Sequence, residues 1–262
     1  QKCKGIDAIL DKTRTSIEEY KKLKQAIITQ AVTKGIRGDR PMKESRIEWV
    51  PMIPADWDII PSKRLFADSE ERRHPDDELL TASQKYGVIS QQQYMEREKA
   101  RVVLATKGIE NWKHVEPYDF IISLRSFQGG LEMSEVSGCI TWHYIVLKPL
   151  RPIHSFYFKW LFKSELYIKA LQRTCNFIRD GQDLRYSNFI QVPLFIPPLE
   201  EQKEIADALN IRCAEMDALI QKKVLFVAEL ESYKKSHIYE YVSGKKEVQQ
   251  KRQVKEVVVY PF

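Results

Sequence analysis

Arginine, glutamine and asparagine side chains are concentrated in three segments of the middle of this sequence, residues 72–74, 91–101 and 173–188. Arginine can form paired hydrogen bonds with the edge of guanine, and asparagine or glutamine with the edge of adenine. Lysine and arginine also contact phosphates. The segments contain Arg72-Arg73-His74, then Gln91-Gln92-Gln93-Tyr94 with Arg97, Lys99 and Arg101, then Arg173, Asn176, Arg179, Gln182, Arg185, Tyr186 and Asn188. Their chemistry favours hydrogen-bonded recognition of a nucleic acid.

The segment 173–188 is the favoured candidate, because Asp180-Gly181-Gln182 predicts a turn with three arginines around it. Arg125-Ser126-Phe127-Gln128-Gly129, at the predicted end of a strand, is the next. The residues predicted to bind DNA are Arg125, Gln128, Arg173, Arg179, Gln182, Arg185, Tyr186 and Asn188. For each of them the alternative is an ordinary solvated surface side chain.

No group of residues in the sequence predicts catalysis. Gly129-Gly130 lacks the context of a cofactor-binding glycine loop, and no acid-x-lysine element of a metal-dependent nuclease follows Pro75-Asp76-Asp77-Glu78. The four cysteines form no CxxC pair, and the five histidines show no HxxxH or HxH spacing. The histidines are His74, His114, His143, His154 and His237. The sequence therefore predicts no catalytic residue, no cofactor and no metal site.

The composition is that of a folded, mildly basic protein. The 262 residues carry a formal net charge of +6 and are 43% hydrophobic, which is enough to bury a core. The charge permits a nucleic-acid partner without requiring one. No apolar run approaches the ~20 residues of a membrane span, and no signal peptide opens the chain. Because Gln1 already lies in a predicted helix, we expect that further sequence precedes it.

Two segments of the sequence repeat one another without gaps, Ile6–Lys34 and Met216–Gly244. Their apolar residues recur at steps of three and four, which predicts amphipathic helices that pack as a coiled coil. These positions are Ile6, Leu10, Ile17, Tyr20, Leu23 and Ala31, and Met216, Ile220, Val227, Leu230, Tyr233 and Tyr241. A helix that leads into a domain and one that leaves it run in opposite directions when they pack together, so we expect an antiparallel pair. Two unrelated surface helices are the alternative.

The region between the helices, about residues 46–198, is rich in β-branched and aromatic residues interrupted by turn signals, and predicts a mixed α/β domain. Phe120–Leu124, Cys139–Leu147 and Gln191–Ile196 are predicted strands, and Phe156–Gln172 is predicted as one helix. Pro198, with two glutamates after Leu199, predicts the start of the second long helix, because proline suits a first helical position and negative charge suits a first turn.

Several segments resemble type I restriction enzyme specificity subunits. Ile196–Ala206, IPPLEEQKEIA, resembles the PPLxEQxxI signature of that family. Tyr233–Lys245 also resembles that family. Met42–Trp49, followed by Ile53–Trp57, resembles the start of its target-recognition domain, and Pro117–Ser123 resembles the central strand of that domain. The matches lie in the right order over nearly the whole chain.

The resemblance implies an α+β fold, in which a mixed α/β target-recognition domain is joined to a long antiparallel two-helix coiled coil. The implied boundaries are 1–38 for the first conserved helix, 39–198 for the recognition domain, 199–244 for the second helix and 245–262 for a basic tail. In that family a full subunit has two recognition domains, each of which recognises one half of a bipartite DNA site, and the helices dock methyltransferase subunits. This chain has one such domain and so resembles half of a subunit.

The expected function is sequence-specific recognition of double-stranded DNA by a non-catalytic, cytoplasmic specificity subunit. The implied partners are DNA, methyltransferase (modification) subunits, the restriction subunit of the full complex and, alternatively, a second copy of this chain as a homodimer. One alternative function is a coiled-coil scaffold whose middle domain binds protein. Another is an endonuclease with built-in recognition, which would cut plasmid DNA once Mg²⁺ is added.

Overall fold

A computed structural model of the protein describes residues 2–99, 108–175 and 184–245. Helices occupy both ends of this range, and short strands and helices alternate between them. In chain order the elements are α1 (Lys2–Lys34), β1 (Met42–Ile47), β2 (Val50–Pro54), β3 (Asp58–Ile60), β4 (Phe66–Ser69), β5 (Leu80–Ser83), β6 (Gly87–Ser90), α2 (Gln91–Glu98), β7 (Lys113–Val115), β8 (Phe120–Ile122), α3 (Ser126–Gly129), β9 (Glu132–Met133), β10 (Gly138–Ile140), β11 (Ile145–Pro149), α4 (Ser155–Lys163), α5 (Glu165–Arg173), α6 (Tyr186–Phe189), β12 (Leu194–Ile196) and α7 (Leu199–Val242).

Contacts within the chain divide it into two compact units. We call residues 2–22 with 215–245 the helical unit, and Leu23–Ala214 the α/β unit. Each long helix contributes to both units, so this division does not test the expected boundaries after residues 38 and 198, which stay a prediction. The expected basic tail falls almost wholly on residues 246–262, outside the described part of the chain.

In the helical unit α1 and α7 run antiparallel. Asp7 forms an ion pair with Lys234, and Arg14 pairs with Glu231 at 2.5 Å. The later residue of α1 thus contacts the earlier residue of α7, as in an antiparallel pair. The buried side chains of the unit include Leu10, which is 4% exposed. With the mixed α/β unit, these two helices confirm the predicted α+β fold class with its antiparallel helix pair.

The predicted apolar positions of the two helices are only partly buried. Ile17 and Met216 are buried, but Leu23 is 50% exposed and Tyr233 is 57% exposed. A straight helix of 3.6 residues per turn drifts away from a strict seven-residue repeat, so a stripe of this kind does not stay in one contact over its whole length. His237 is buried instead, and its ring stacks on Tyr233 with centroids 5.7 Å apart.

The centre of the α/β unit is a four-stranded antiparallel sheet in the order β4-β11-β8-β9. In β11, Val146 lies opposite Ser69 of β4 and Ile121 of β8. Phe66 and Phe120 pack edge to face at 5.5 Å in the core beneath α4, a favoured geometry for aromatic pairs. The remaining strands form two-stranded antiparallel pairs, which are β1-β2, β3-β12, β5-β6 and β7-β10.

Two predicted elements are each divided in the structure. The predicted strand Cys139–Leu147 forms β10 and β11, because a turn closed by the Tyr144 amide and the Thr141 carbonyl interrupts it. The predicted helix Phe156–Gln172 forms α4 and α5, because the backbone leaves the helix at Ser164. The Ser164 hydroxyl then caps α5 by accepting a hydrogen bond from the Tyr167 amide.

The first turn of α7, which belongs to the α/β unit, takes part in a buried polar network. Glu201 is fully buried, accepts a hydrogen bond from Trp57 Nε1 at 3.1 Å, and forms an ion pair with Arg40. The neighbouring Gln202, 2% exposed, accepts from the His154 amide at 2.9 Å. This network holds the first turn of α7 inside the α/β unit, because every group in it would be costly to bury without its partner.

Candidate nucleic-acid interface

A short turn after β8 presents two of the predicted DNA-binding residues. The Ser123 amide donates to Ser126 Oγ at 2.8 Å, and the Ser126 amide donates to the Ser123 carbonyl at 3.0 Å. These bonds fold the chain into α3 directly behind a buried strand. The turn leaves Arg125 and Gln128 exposed on a rigid support.

α3 is followed by Gly130, which has a φ of +77°. A Cβ at this position would lie 2.0 Å from the carbonyl oxygen of Phe162 in α4. Glycine alone tolerates both the left-handed backbone and this close approach. The contact holds the turn against the helical layer of the domain.

A cavity of about 270 Å³ lies beside this turn. It is lined by Thr81, Ala82, Ser83, Gln84, Gln91, Tyr94, Ser123, Leu124, Arg125 and Tyr144. Among the lining side chains, the amides of Gln84 and Gln91 each carry a donor and an acceptor group, whereas Arg125 offers only donors. A cavity with separate donors and acceptors suits a planar group that also carries both, such as a base edge.

Two glutamines tie the turn to the neighbouring elements. Gln84 Nε2 donates to the Arg125 carbonyl at 2.7 Å, and Gln172 Nε2 donates to the Phe127 carbonyl at 2.6 Å. Gln91 of the second predicted segment lines the same cavity as Arg125, so this segment and the Arg125 turn lie together. Sequence reasoning missed Gln84 and Tyr144, because neither belongs to an arginine-rich segment.

In the favoured segment 173–188, the described residues divide into exposed and structural ones. Arg173 is exposed and its Nη1 lies 2.9 Å from Glu48 Oε1. Arg185 is also exposed and precedes α6. Arg179 and Gln182, together with the turn that motivated the choice, lie outside the described residues.

Tyr186 and Asn188 contribute to the fold. The Tyr186 hydroxyl donates to the Phe66 carbonyl at 2.9 Å, and burial raises the pKa of this phenol. Asn188 Nδ2 donates to the Thr174 carbonyl at 2.8 Å, and its Oδ1 accepts from the Arg185 amide at 3.0 Å. Both side chains thus hold α6 against the core, which leaves their predicted role at DNA untested.

The segment 72–74 belongs to a different loop, between β4 and β5. Arg72 Nη1 donates to Asn111 Oδ1 at 2.9 Å, and Arg73 Nη2 donates to the Pro75 carbonyl at 3.0 Å. His74 lies beside His114 and Glu71, and the three side chains offer ligand atoms within 4.8 Å of one another. Sequence spacing had separated these histidines, so this candidate metal site was missed.

Glu71 is held in its charged form. The hydrogen bond from Lys148, at 3.0 Å, is the main reason that the pKa of Glu71 lies below its usual value. Burial acts in the opposite direction but is outweighed. An ionised carboxylate beside two imidazoles is a chemically competent ligand set.

The fold and this surface define a class of protein: a mixed α/β domain that exposes arginine and glutamine side chains, joined to two long antiparallel helices. The family model of the type I restriction modification DNA specificity domain matches residues 54–224. The chain belongs to that family, which confirms the resemblance found in the sequence. No curated protein sequence matches the chain significantly.

Two solved structures share the fold. The HsdS subunit from Thermoanaerobacter tengcongensis has a TM-score of 0.50 and 14% identity, over 91% of this chain and 54% of that one. The second structure is described as the structural basis underlying complex assembly and conformational transition of the type I R-M system. Its chain has a TM-score of 0.55 and 14% identity, over 90% of this chain and 56% of that one. The chain thus spans about half the length of these relatives. No helix in the described ranges is long and apolar enough to cross a membrane.

Proposed function

We propose that this chain recognises one half of a bipartite duplex DNA site as the specificity component of a type I restriction-modification complex. The family match over residues 54–224 carries the proposal, because that family is defined by a DNA specificity domain. Its span of about half the solved relatives agrees with one recognition domain and one half-site. In this role the chain has no catalytic residues, and cleavage and methyl transfer belong to the restriction and modification subunits.

Base recognition is assigned to the surface around the cavity beside α3. Arg125 can pair with guanine O6 and N7, and Gln128 with adenine N6 and N7, because these side chains carry matching donors and acceptors. Both are exposed and stand on a turn that is hydrogen-bonded at each end. We assign phosphate contacts to the exposed Arg173 and Arg185, and such contacts position the duplex without selecting its sequence.

The first test is selection from a randomised duplex pool, with the chain alone and with its modification subunit. A short gapless motif supports one domain that recognises one half-site. A gapped palindrome instead supports assembly of two copies. If neither condition enriches a sequence, the proposal is wrong and the coiled-coil scaffold becomes the better explanation.

A pair of variants then tests the assigned surface. Arg125→Ala is expected to lose about 1–3 kcal/mol of discrimination at one base pair. Arg151→Ala is the matched control, because Arg151 is also an exposed arginine but does not line the cavity. Tyr144, which lines the cavity, precedes β11, whereas Arg151 follows the other end of that strand. Equal sequence preferences in both variants would remove Arg125 from the interface.

The helical unit is proposed to dock the modification subunit. Leu219, Phe226 and Tyr233 are 43%, 45% and 57% exposed and recur every seven residues along α7. Exposed apolar side chains at this spacing form a stripe that suits a partner helix. Phe226→Glu should weaken co-purification with the modification subunit at least tenfold, because it places a charge in that contact.

Gln221→Glu is the control for this docking surface, because it makes the same change of charge at another exposed position of α7. It should leave the interaction unchanged. A Phe226→Glu variant that still binds the modification subunit with full affinity would exclude this stripe, without affecting the DNA-recognition proposal.

A further inference from the structure

A cluster of two histidines and a glutamate lies away from the proposed base-recognition surface. Glu71, His74 and His114 are brought together because the β4–β5 loop lies along β7: the His114 amide donates to the Glu71 carbonyl at 2.9 Å, and Arg72 forms an isolated bridge with Lys113. The ligand atoms of the three side chains lie within 4.8 Å of one another. Residues 40 positions apart in sequence thereby share one site.

The buried histidine of this cluster is oriented for ligation. His114 Nδ1 lies 2.9 Å from a carboxylate oxygen of Asp77, and both side chains are about 5% exposed. Since an ionised carboxylate only accepts hydrogen bonds, Nδ1 carries a proton, and Nε2 is the ring nitrogen left to bind a metal ion. A carboxylate behind an imidazole is the usual outer-shell arrangement of metal-ligating histidines.

The two carboxylate oxygens of Glu71 contact different partners. Glu71 Oε2 pairs with Lys148 at 3.0 Å, whereas Oε1 lies 3.2 Å from His74 Nε2. The ring of His74 stacks on that of His114 with centroids 3.8 Å apart, and its side chain is 51% exposed. An exposed ring can turn out of the stack, so all three ligands can converge on one ion.

The local charge also favours a dication. The carboxylates in and beside the cluster are Glu71, Asp77, Glu116 and Asp119, and one cation, Lys148, is shared by three of them. Glu116 Oε1, 3.8 Å from His114 Nε2, is within reach as a further ligand. Magnesium and calcium prefer oxygen ligands alone, whereas imidazole nitrogens suit zinc and its neighbours.

We propose that Glu71, His74 and His114 bind a divalent transition-metal ion of the zinc type, with Asp77 as a positioning residue. The ion would fasten the β4–β5 loop to β7 and so fix the loop that carries Arg72 and Arg73. This role does not depend on the proposed DNA function.

The test uses the full chain without a histidine tag, stripped of metal and titrated with Zn²⁺ against a chromophoric chelator. One Zn²⁺ per chain should bind, and His74→Ala and Glu71→Gln should each lower the affinity at least about 100-fold, more than the loss of an outer-shell partner does. His143→Ala is the matched control, because His143 is exposed and stacks only on Trp142 among the described aromatic rings.

Two further readouts separate ligation from a structural defect. Zn²⁺ should raise the thermal midpoint of the parent chain and of His143→Ala but not of His74→Ala. Asp77→Asn should weaken binding about 10–100-fold while the Co²⁺ visible spectrum keeps its shape, because the ligands are unchanged. Absence of Zn²⁺ binding to the parent chain, or undiminished binding to both His74→Ala and Glu71→Gln, overturns the proposal.

Discussion

Replacement of Glu201 by glutamine is expected to destabilise the α/β unit by about 3 kcal/mol. The carboxylate is fully buried and is shared by Arg40, whose Nη2 lies 3.1 Å from Oε2, and by the indole of Trp57. Removal of one partner of a buried ion pair costs about 3–5 kcal/mol, because the remaining charge stays desolvated without its attraction. Arg40 retains Asp56 at 2.6 Å, and that carboxylate is half exposed, so we expect the lower end of this range.

Glu200 provides the matched control in the same first turn of α7. It is exposed, and its replacement by glutamine removes only a favourable interaction with the helix N-terminus, about 0.3–1 kcal/mol. Glu201 has the same position relative to the helix dipole. The difference between the two variants therefore isolates the buried network.

The assay is urea unfolding followed by tryptophan fluorescence. All five tryptophans lie between residues 49 and 160, inside the α/β unit, so the signal reports on that unit. A shift in midpoint at constant slope converts directly to a change in the free energy of unfolding. If the Glu201 and Glu200 variants differ by less than about 1 kcal/mol, the network does not hold α7 to the domain and the reasoning is wrong.

Three further substitutions or measurements test other parts of the fold. Gly130→Ala should cost at least about 2 kcal/mol in the same urea assay, because its φ is positive and a Cβ would collide with the Phe162 carbonyl; a variant as stable as the parent would contradict the contact. Burial, with a smaller contribution from a nearby carboxylate, raises the pKa of Cys139 to about 11, so only about 0.1% of this thiol is ionised at pH 8. Mass mapping should find Cys139 unalkylated at pH 8, and its alkylation rate should still rise above pH 9; a rate that levels off below pH 9 would contradict the raised pKa. Ile17→Glu should lower the melting temperature of the helices in circular dichroism by several degrees, whereas Ile9→Glu, at a position 48% exposed, should change it little; equal effects would contradict the packing of α1.

The long helices could be predicted because their signals are local. Proline at 198, two acidic residues in the next turn and a run of good helix formers predicted the start of α7 within one residue. α1 ends at Lys34 because Gly35 adopts a φ of +76°, the usual left-handed conformation after a helix. The burial of His237 was not predicted, since a histidine between two tyrosines gives no apolar signal although its ring is covered by theirs.

The internal breaks of the α/β unit were harder to predict. An apolar run such as 139–147 has the same alternation whether it forms one strand or two, and the turn at Thr141–Tyr144 contains neither glycine nor proline. Ser164 is a capping residue in type, but its role depends on whether the helix before it continues. In both cases the apolar pattern was right and the division came from the way the strands and helices pack.

The candidate sites could not be predicted from spacing because they are made by strand pairing. His74 and His114 meet only because the β4–β5 loop lies along β7, and Gln84 reaches Arg125 only because the β5–β6 hairpin packs beside the end of β8. Neither register can be deduced from one sequence. The histidines and Arg125 were noticed in the sequence, but Glu71 and Gln84 were not, because only the fold brings them together.

The residues that carry the family resemblance do not coincide with those that would select a DNA sequence. Glu201, Gln202 and Ile205 of the PPLxEQxxI signature are buried at the start of α7, where they hold the helix to the domain. Arg125 and Gln128 are exposed and make no such contribution to the core. A signature made of buried residues constrains the scaffold and leaves the exposed loops free to vary, so it identifies the family and predicts the fold. Under the proposed function, the choice of bases is assigned instead to the exposed turn and its cavity, and the selection experiment measures it.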